Sequence, residues 1–223
     1  MIRLHHAAQT RSFRVLWALE ELGLPYDLVV HSMLDGSLRR PEFTALSPAS
    51  RVPAIEIDGR SLAESGAILQ HLSETAGSET AAALGPGLGE RPDWLEWIHY
   101  AETAGALIAN LTQQHIVLRE DDMRSPVLMR LEAKRLERAL AAVETRIAGD
   151  WLLASGFTMA DIAMGYAAWI GQRFVALDAL PKTAAWLARL QARPGFAHAA
   201  ARDGTPEIYL RPFYPPPDPP PRV

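Results

Sequence analysis

Strand signals in this chain stop near residue 76, and none of any strength follows. That asymmetry constrains the fold more than any other feature. Ile2 to His6 reads as a short strand. Val15, Leu16, Leu19 and Leu22 then recur at helical spacing, with Gly23 and Pro25 as the stop. Leu28-Val29-Val30, inside Asp27 to His31, suits a buried strand, and a strand–helix–strand order implies parallel pairing with a right-handed crossover. A short helix is expected between Leu38 and Leu46. Asp58-Gly59 separates two β-rich runs, Ala54 to Ile57 and Arg60 to Ala63, and predicts a two-residue hairpin turn. Ile68, Leu69 and Leu72 mark a last helix ending near Gly77. The order β-α-β-α-β-β-α describes a small mixed sheet covered by helices.

Residues 77–91 are rich in Gly, Ala and Ser and contain Pro86, the composition of a linker. Beyond them the periodicity is helical: Trp94 to about Leu118, Pro126 to about Ile147, Ala160 to Phe174, Thr183 to Ala192, and a short piece after Pro194. The third of these is apolar nearly all round and should be central. The organisation expected is a sheet domain over 1–78, a linker over 79–91, an all-α bundle domain over 92–205 and a tail over 206–223. Seven of the seventeen prolines fall between Pro212 and Pro221, so the tail should favour extended polyproline geometry, disordered or draped on the surface.

Composition removes several chemistries. The 223 residues include no cysteine, which excludes disulfides, Cys-ligated zinc, iron–sulfur clusters and a protein thiol nucleophile. A net charge of −4 argues against a nucleic-acid binder. No uncharged apolar run reaches the ~20 residues that cross a bilayer, and the amino terminus lacks a signal-like stretch, so a soluble cytoplasmic protein with no membrane partner is expected. His5 and His6 are consecutive on a strand and point to opposite faces. His71, His99, His115 and His198 have no ligand spacing, and no metal site is expected.

Three motifs carry chemistry or architecture. Arg51-Val52-Pro53 immediately precedes the strand at Ala54, and Glu64-Ser65 follows at the start of a helix, where Ser65 can cap it and unpaired amides form an anion site. Phe157-Thr158-Met159-Ala160-Asp161 reads as a capping box for the central helix. Gln9-Thr10-Arg11-Ser12 stands where the first helix begins.

With these motifs in this order, the chain from Ile2 to about Ala201 resembles the cytosolic glutathione S-transferases, most closely serine/threonine-type bacterial or fungal members. The resemblance implies an α+β thioredoxin-like domain followed by an all-α helical bundle. It implies a cis-proline at Pro53 that exposes the Val52 backbone to the cysteinyl part of glutathione, with Arg51 beside it, and Glu64-Ser65 holding the γ-glutamyl end. The capping box belongs to the family's sixth helix. Glutathione is then the co-substrate, and no metal is implied. The protein would conjugate its sulfur to a small, mostly hydrophobic electrophile and act as a homodimer in detoxification. Peroxidase or isomerase activity, or non-catalytic glutathione binding, are the alternatives. The absence of cysteine speaks against thiol-transferase activity of the cysteine-type relatives.

The reaction needs a thiolate, and a free thiol of pKa about 8.5 is only ~3% ionised at pH 7. Lowering that pKa by about two units takes about 2.7 kcal/mol. The family supplies this with a hydroxyl or thiol near the first helix, a position held here by Thr10. Ser12, two residues on, or a backbone amide are the other candidates, and Arg11 would add positive potential. Tyr100, His115 and Trp169 lie on helices expected to border the second-substrate pocket.

Overall fold

The computed structural model describes residues 1–75, 80–81, 84–147 and 149–218. The expected helix end at Gly77, residues 79 and 82–83 of the linker, and residues 219–223 of the tail lie outside them.

Four strands form one mixed sheet in the order β2-β1-β3-β4, from β1 (Ile2–His6), β2 (Tyr26–Val30), β3 (Ala54–Ile57) and β4 (Arg60–Ala63). β1 and β2 are parallel, with Leu4 opposite Leu28, and the helix α1 (Ser12–Leu22) makes the crossover. It ends at Gly23, whose left-handed φ of 63° lets the amides of Gly23 and Leu24 close on Glu20 and Leu19. β3 and β4 are antiparallel, and Ile57 faces Arg60 across the turn. Asp58 and Gly59 both take positive φ, 50° and 76°, as a type I′ hairpin turn requires.

The helix expected over Leu38 to Leu46 is divided. Ser37–Arg39 forms one 3₁₀ turn and α2 spans Pro41–Leu46, with Arg40 extended between them (φ −69°, ψ 146°). The Pro41 ring excludes the helical conformation from the residue before it and suits the first helical position. α3 (Ser65–Thr75) closes the sheet unit.

No strand occurs among the described residues beyond Ala63. The helices are α4 (Arg91–Thr112), α5 (Pro126–Arg146), α6 (Met159–Gly171), α7 (Pro181–Gln191) and α8 (Pro194–Arg202). α4 starts earlier than expected because Pro92 serves in its first turn, and a π-helical turn (Gln113–Val117) follows it. α6 is central and packs on α1, α3, α4 and α7. Its closeness to α7 and α1 depends on Gly165, where a Cβ would stand 2.6 Å from a Leu190 methyl and 3.3 Å from the Trp17 ring.

The capping box forms as expected. Thr158 Oγ1 accepts from the Ala160 amide (3.2 Å), and Asp161 accepts from the Thr158 amide (3.0 Å). The same carboxylate also accepts from the Leu152 amide (3.0 Å) and Trp186 Nε1 (2.9 Å), tying α6 to the preceding loop and to α7. One core joins the two units. Trp17, Phe13, Trp94, Trp97 and Trp186 are buried, and each such side chain contributes about 1.5–3 kcal/mol by leaving water.

The described part of the tail is draped over the helical unit and pinned there. The Tyr209 hydroxyl meets Thr112 Oγ1 at 2.8 Å, and the Tyr214 amide donates to the Arg173 carbonyl at 2.7 Å. Both rings are buried against Phe174, and Arg173 Nη1 donates to the Arg211 carbonyl at 2.8 Å.

Candidate functional site

The Arg51 segment and the start of α1 meet beside α4, and Arg14 ties Ser65 to that helix. The Val52–Pro53 peptide is cis. Val52 and Pro53 are buried and Arg51 is exposed beside them, its carbonyl taking the Ser47 hydroxyl at 2.8 Å. Glu64, not Ser65, holds the cap position of α3: its φ is +71° and its carbonyl accepts from the Ile68 amide at 3.0 Å. Ser65 is the first helical residue and is buried, while Glu64 remains exposed.

Two residues that belong to no sequence motif organise this corner. Arg14, fully buried in α1, donates to Ser65 Oγ (3.0 Å), to the Ala101 carbonyl (3.1 Å) and to the Glu102 carboxylate, and its guanidinium lies over the Tyr166 ring. Glu102 on α4 also pairs with Arg11 at 2.8 Å. Burial pushes the Glu102 carboxyl pKa up. The charges of Arg14 and Arg11, with hydrogen bonds from Arg14 and Ser65, outweigh that and hold it below the ordinary range. Arg11 reaches its partner across Gly105, where a Cβ would stand 2.9 Å from Nη2. Arg11 is therefore a seated cation in the site, not a freely solvated one.

The two hydroxyls near the start of α1 differ in access. Ser12 is fully buried; its Oγ accepts from the Ala7 amide (3.1 Å) and lies 2.8 Å from both His6 Nδ1 and Thr10 Oγ1. Thr10 is half-buried, with Oγ1 also 2.8 Å from the Ala7 carbonyl. Between them and β1, Gln9 takes a left-handed φ of 58°, uncommon for a residue with a side chain. The helical unit holds it there: Asp203 accepts its amide (3.0 and 3.1 Å) and the Tyr166 hydroxyl donates to its carbonyl (3.2 Å).

A cleft of about 410 Å³ opens beside this corner, lined by Arg11, Arg51, Glu102, Ala106, Asn110 and Gln113 among others. That volume falls in the range of small-ligand sites. The three residues expected at a second-substrate pocket have other neighbours. Tyr100 packs on Trp97, His115 on Phe174 and Tyr214, and Trp169 on Phe13, Tyr166 and Phe196. None of the three lines the cleft, whose wall on α4 comes from residues spaced three or four apart, 102, 106, 109, 110 and 113. That spacing was present in the sequence, but nothing local said which helix face would meet the sheet unit. Among the described residues no group of three or more His, Asp or Glu side chains is placed to hold a metal, and no helix is long and apolar enough to cross a membrane.

Comparison with known proteins identifies the family. Residues 10–75 match the N-terminal domain model of glutathione S-transferase, and residues 125–194 match the C-terminal domain model. Glutathione S-transferase 3 of Schizosaccharomyces pombe is 28% identical over 99% of this chain and 97% of its own length. The Escherichia coli protein named disulfide-bond oxidoreductase YfcG is 30% identical over 89% of this chain and 94% of its own. A crystal structure described as a possible glutathione S-transferase, from Rhodopseudomonas palustris, superposes with a TM-score of 0.77 at 30% identity over 92% of this chain and 99% of that one. With both domain models matched in sequence order, and relatives of this identity covered nearly end to end, the chain belongs to the glutathione S-transferase family.

Proposed function

We propose that this protein binds glutathione in the cleft between the sheet unit and α4, ionises its thiol and delivers the sulfur to an electrophile. The observation that carries the reading is convergence. The cis Val52–Pro53 peptide follows Arg51, the half-buried Thr10 precedes Arg11, and Arg51 and Arg11 line one cleft with Glu102, which Arg14 ties to Ser65 at the start of α3. In this reading the Val52 backbone pairs with the cysteinyl portion. The Glu64 carboxylate takes the γ-glutamyl amine, and Ser65 with the unpaired amides of the first α3 turn takes the γ-glutamyl carboxylate. Arg14, buried beneath Ser65, adds positive potential there. Thr10 turns its hydroxyl to the sulfur, and Arg11 favours the thiolate. Ser12 is enclosed among its partners and holds Thr10 from within. Catalysis is then positioning and thiolate stabilisation, with no covalent intermediate on the protein. We further propose a cytoplasmic homodimer, for which light scattering should give about twice 24.5 kDa.

One observation favours a second reading. The cleft is lined mainly by polar and charged side chains, and a relative of 30% identity is named for disulfide-bond oxidoreduction. With no cysteine in the chain, the attacking thiolate in such a reaction would be that of glutathione itself. It would displace one thiolate from a small disulfide to give a mixed disulfide, and a second glutathione thiolate would displace the other to give glutathione disulfide. The two readings are separated by assaying glutathione conjugation to an activated chloroarene beside glutathione-dependent reduction of a small dialkyl disulfide. Turnover of the chloroarene alone supports conjugation, and turnover of the disulfide alone supports exchange. Calorimetric titration with glutathione that gives no binding at millimolar concentration refutes both.

A further inference from the structure

The mechanism above leaves one question that the structure addresses: where the thiol proton goes. Three hydrogen-bonding groups run inward from Thr10 with links of one length. Thr10 Oγ1 lies 2.8 Å from Ser12 Oγ, and Ser12 Oγ lies 2.8 Å from His6 Nδ1. The far side of the imidazole, Nε2, faces Asp203, 2.9 Å from its carbonyl and 3.3 Å from its carboxylate. His6 and Ser12 are wholly enclosed and Asp203 nearly so, which shuts solvent out of the inner chain. Because the Asp203 carbonyl can only accept, neutral His6 carries its proton on Nε2 and presents Nδ1 as an acceptor.

We propose that this chain is a proton relay: the thiol proton of bound glutathione passes through the Thr10 and Ser12 hydroxyls and comes to rest on His6, and the Asp203 carboxylate balances the charge. This extends the glutathione-binding reading and depends on it. Before transfer, Thr10 turns its proton from the Ala7 carbonyl, also at 2.8 Å, to Ser12, and Ser12 donates to His6. In the transfer the S–H bond breaks and its proton bonds to Thr10 Oγ1. The proton of Thr10 moves to Ser12 Oγ, and that of Ser12 to His6 Nδ1. The products are a thiolate and an imidazolium, with both hydroxyls neutral and every link reversed in direction. The sulfur now accepts from Thr10, Thr10 from Ser12, and Ser12 from His6. No heavy atom need move, since each separation suits either direction.

Asp203 supplies the carboxylate adjacent to His6. Burial first, and then His5, lower the pKa of the nearby His31, which makes that ring a weaker rival for the proton. The Ala7 amide donates to Ser12 Oγ at 3.1 Å and keeps that oxygen in line in either state. Asp203 and Tyr166 hold Gln9 from both sides and so fix the loop that carries the outer end of the chain.

The test counts protons. Glutathione is mixed with the protein in weakly buffered solution; thiolate is followed by ultraviolet absorbance and released proton by an indicator dye. The relay predicts that wild type forms thiolate while releasing markedly fewer protons than thiolates, and that nitrogen-15 spectra of labelled histidine show His6 protonated on both ring nitrogens in the complex. Ser12→Ala cuts the chain, so each thiolate that still forms should release a full proton to solvent. Asp203→Asn keeps one acceptor oxygen for the Gln9 amide but removes the charge, and should leave His6 neutral. Wild type releasing one proton per thiolate, or His6 neutral in the complex, overturns the relay and leaves the binding site standing. A wild type that binds no glutathione overturns the site and the relay together.

Discussion

Glu102→Gln tests how the two units of the chain hold the site. Arg14 is fully buried and its Nε–H has no partner, so its charge depends on Glu102, the Ala101 carbonyl and Ser65. Burial pulls the Arg14 pKa down, and the Glu102 carboxylate is the largest influence opposing that. Removing one partner of a buried pair costs about 3–5 kcal/mol, because the other charge is left uncompensated. The variant amide still accepts one hydrogen bond, which places the loss near the lower end, about 3 kcal/mol. Arg11, whose side chain is 31% exposed, can turn to water and adds less than about 1 kcal/mol. Urea unfolding followed by tryptophan fluorescence should show the midpoint falling by roughly 1 M with unchanged slope. Pairing Arg14→Met with Glu102→Met should recover most of the loss, since neither charge then remains. A loss under about 1 kcal/mol, or a double variant as unstable as the two singles summed, refutes the account. The pH dependence has a definite sign. The Glu102 pKa is lower folded than unfolded, so its contribution is complete above the ordinary value of 4.5 and is lost as pH falls through the folded value. The stability gap between wild type and Glu102→Gln should narrow in that acid range.

Other substitutions probe separate parts. Asp161→Asn turns an amide NH₂ toward groups that are themselves donors, the Thr158 and Leu152 amides and Trp186 Nε1, and should cost about 3–5 kcal/mol in thermal unfolding with no selective effect on glutathione affinity. Glu64→Ala and Ser65→Ala should each weaken glutathione binding in calorimetry by about tenfold or more, since each removes a charged or charge-assisted contact; unchanged affinity in both removes the site assignment. Thr10→Val should raise the pKa of bound glutathione, read from thiolate absorbance, and an unmoved pKa removes Thr10 from the sulfur. Gly105→Ala should leave the melting temperature within a few degrees, because only the end of the Arg11 side chain must give way, and should still raise the bound thiol pKa by displacing that cation.

Much of the fold was legible because its signals are local. Asp58-Gly59 gave the hairpin, Gly23 the end of α1 and Thr158 to Asp161 the start of α6, each through groups within a few residues of one another. Pro41, which divides the helix expected over Leu38 to Leu46, is an equally local signal, because the residue before a proline is barred from the helical conformation. In the site, Pro53, Glu64 and Ser65 could be read because a short motif carries them. Arg14, Glu102, His6 and Asp203 could not. Arg14 meets Ser65 and Glu102 at separations of 51 and 88 residues, and His6 meets Asp203 at 197. A buried arginine in an apolar helix looks like any other helix former until its partner is known. The docking of Tyr209 and Tyr214 was hidden likewise, because the prolines around them suggest only extended backbone.

The grip of Asp203 on the loop after β1 bears on synthesis as well as on chemistry. The carboxylate that fixes Gln9 stands 194 positions downstream of it. On a ribosome the first strand emerges early and this anchor very late. A nascent chain that has not reached residue 203 lacks the group that closes the loop carrying Gln9 and Thr10, so this loop should become fixed only after that residue has emerged, however early the strands pair.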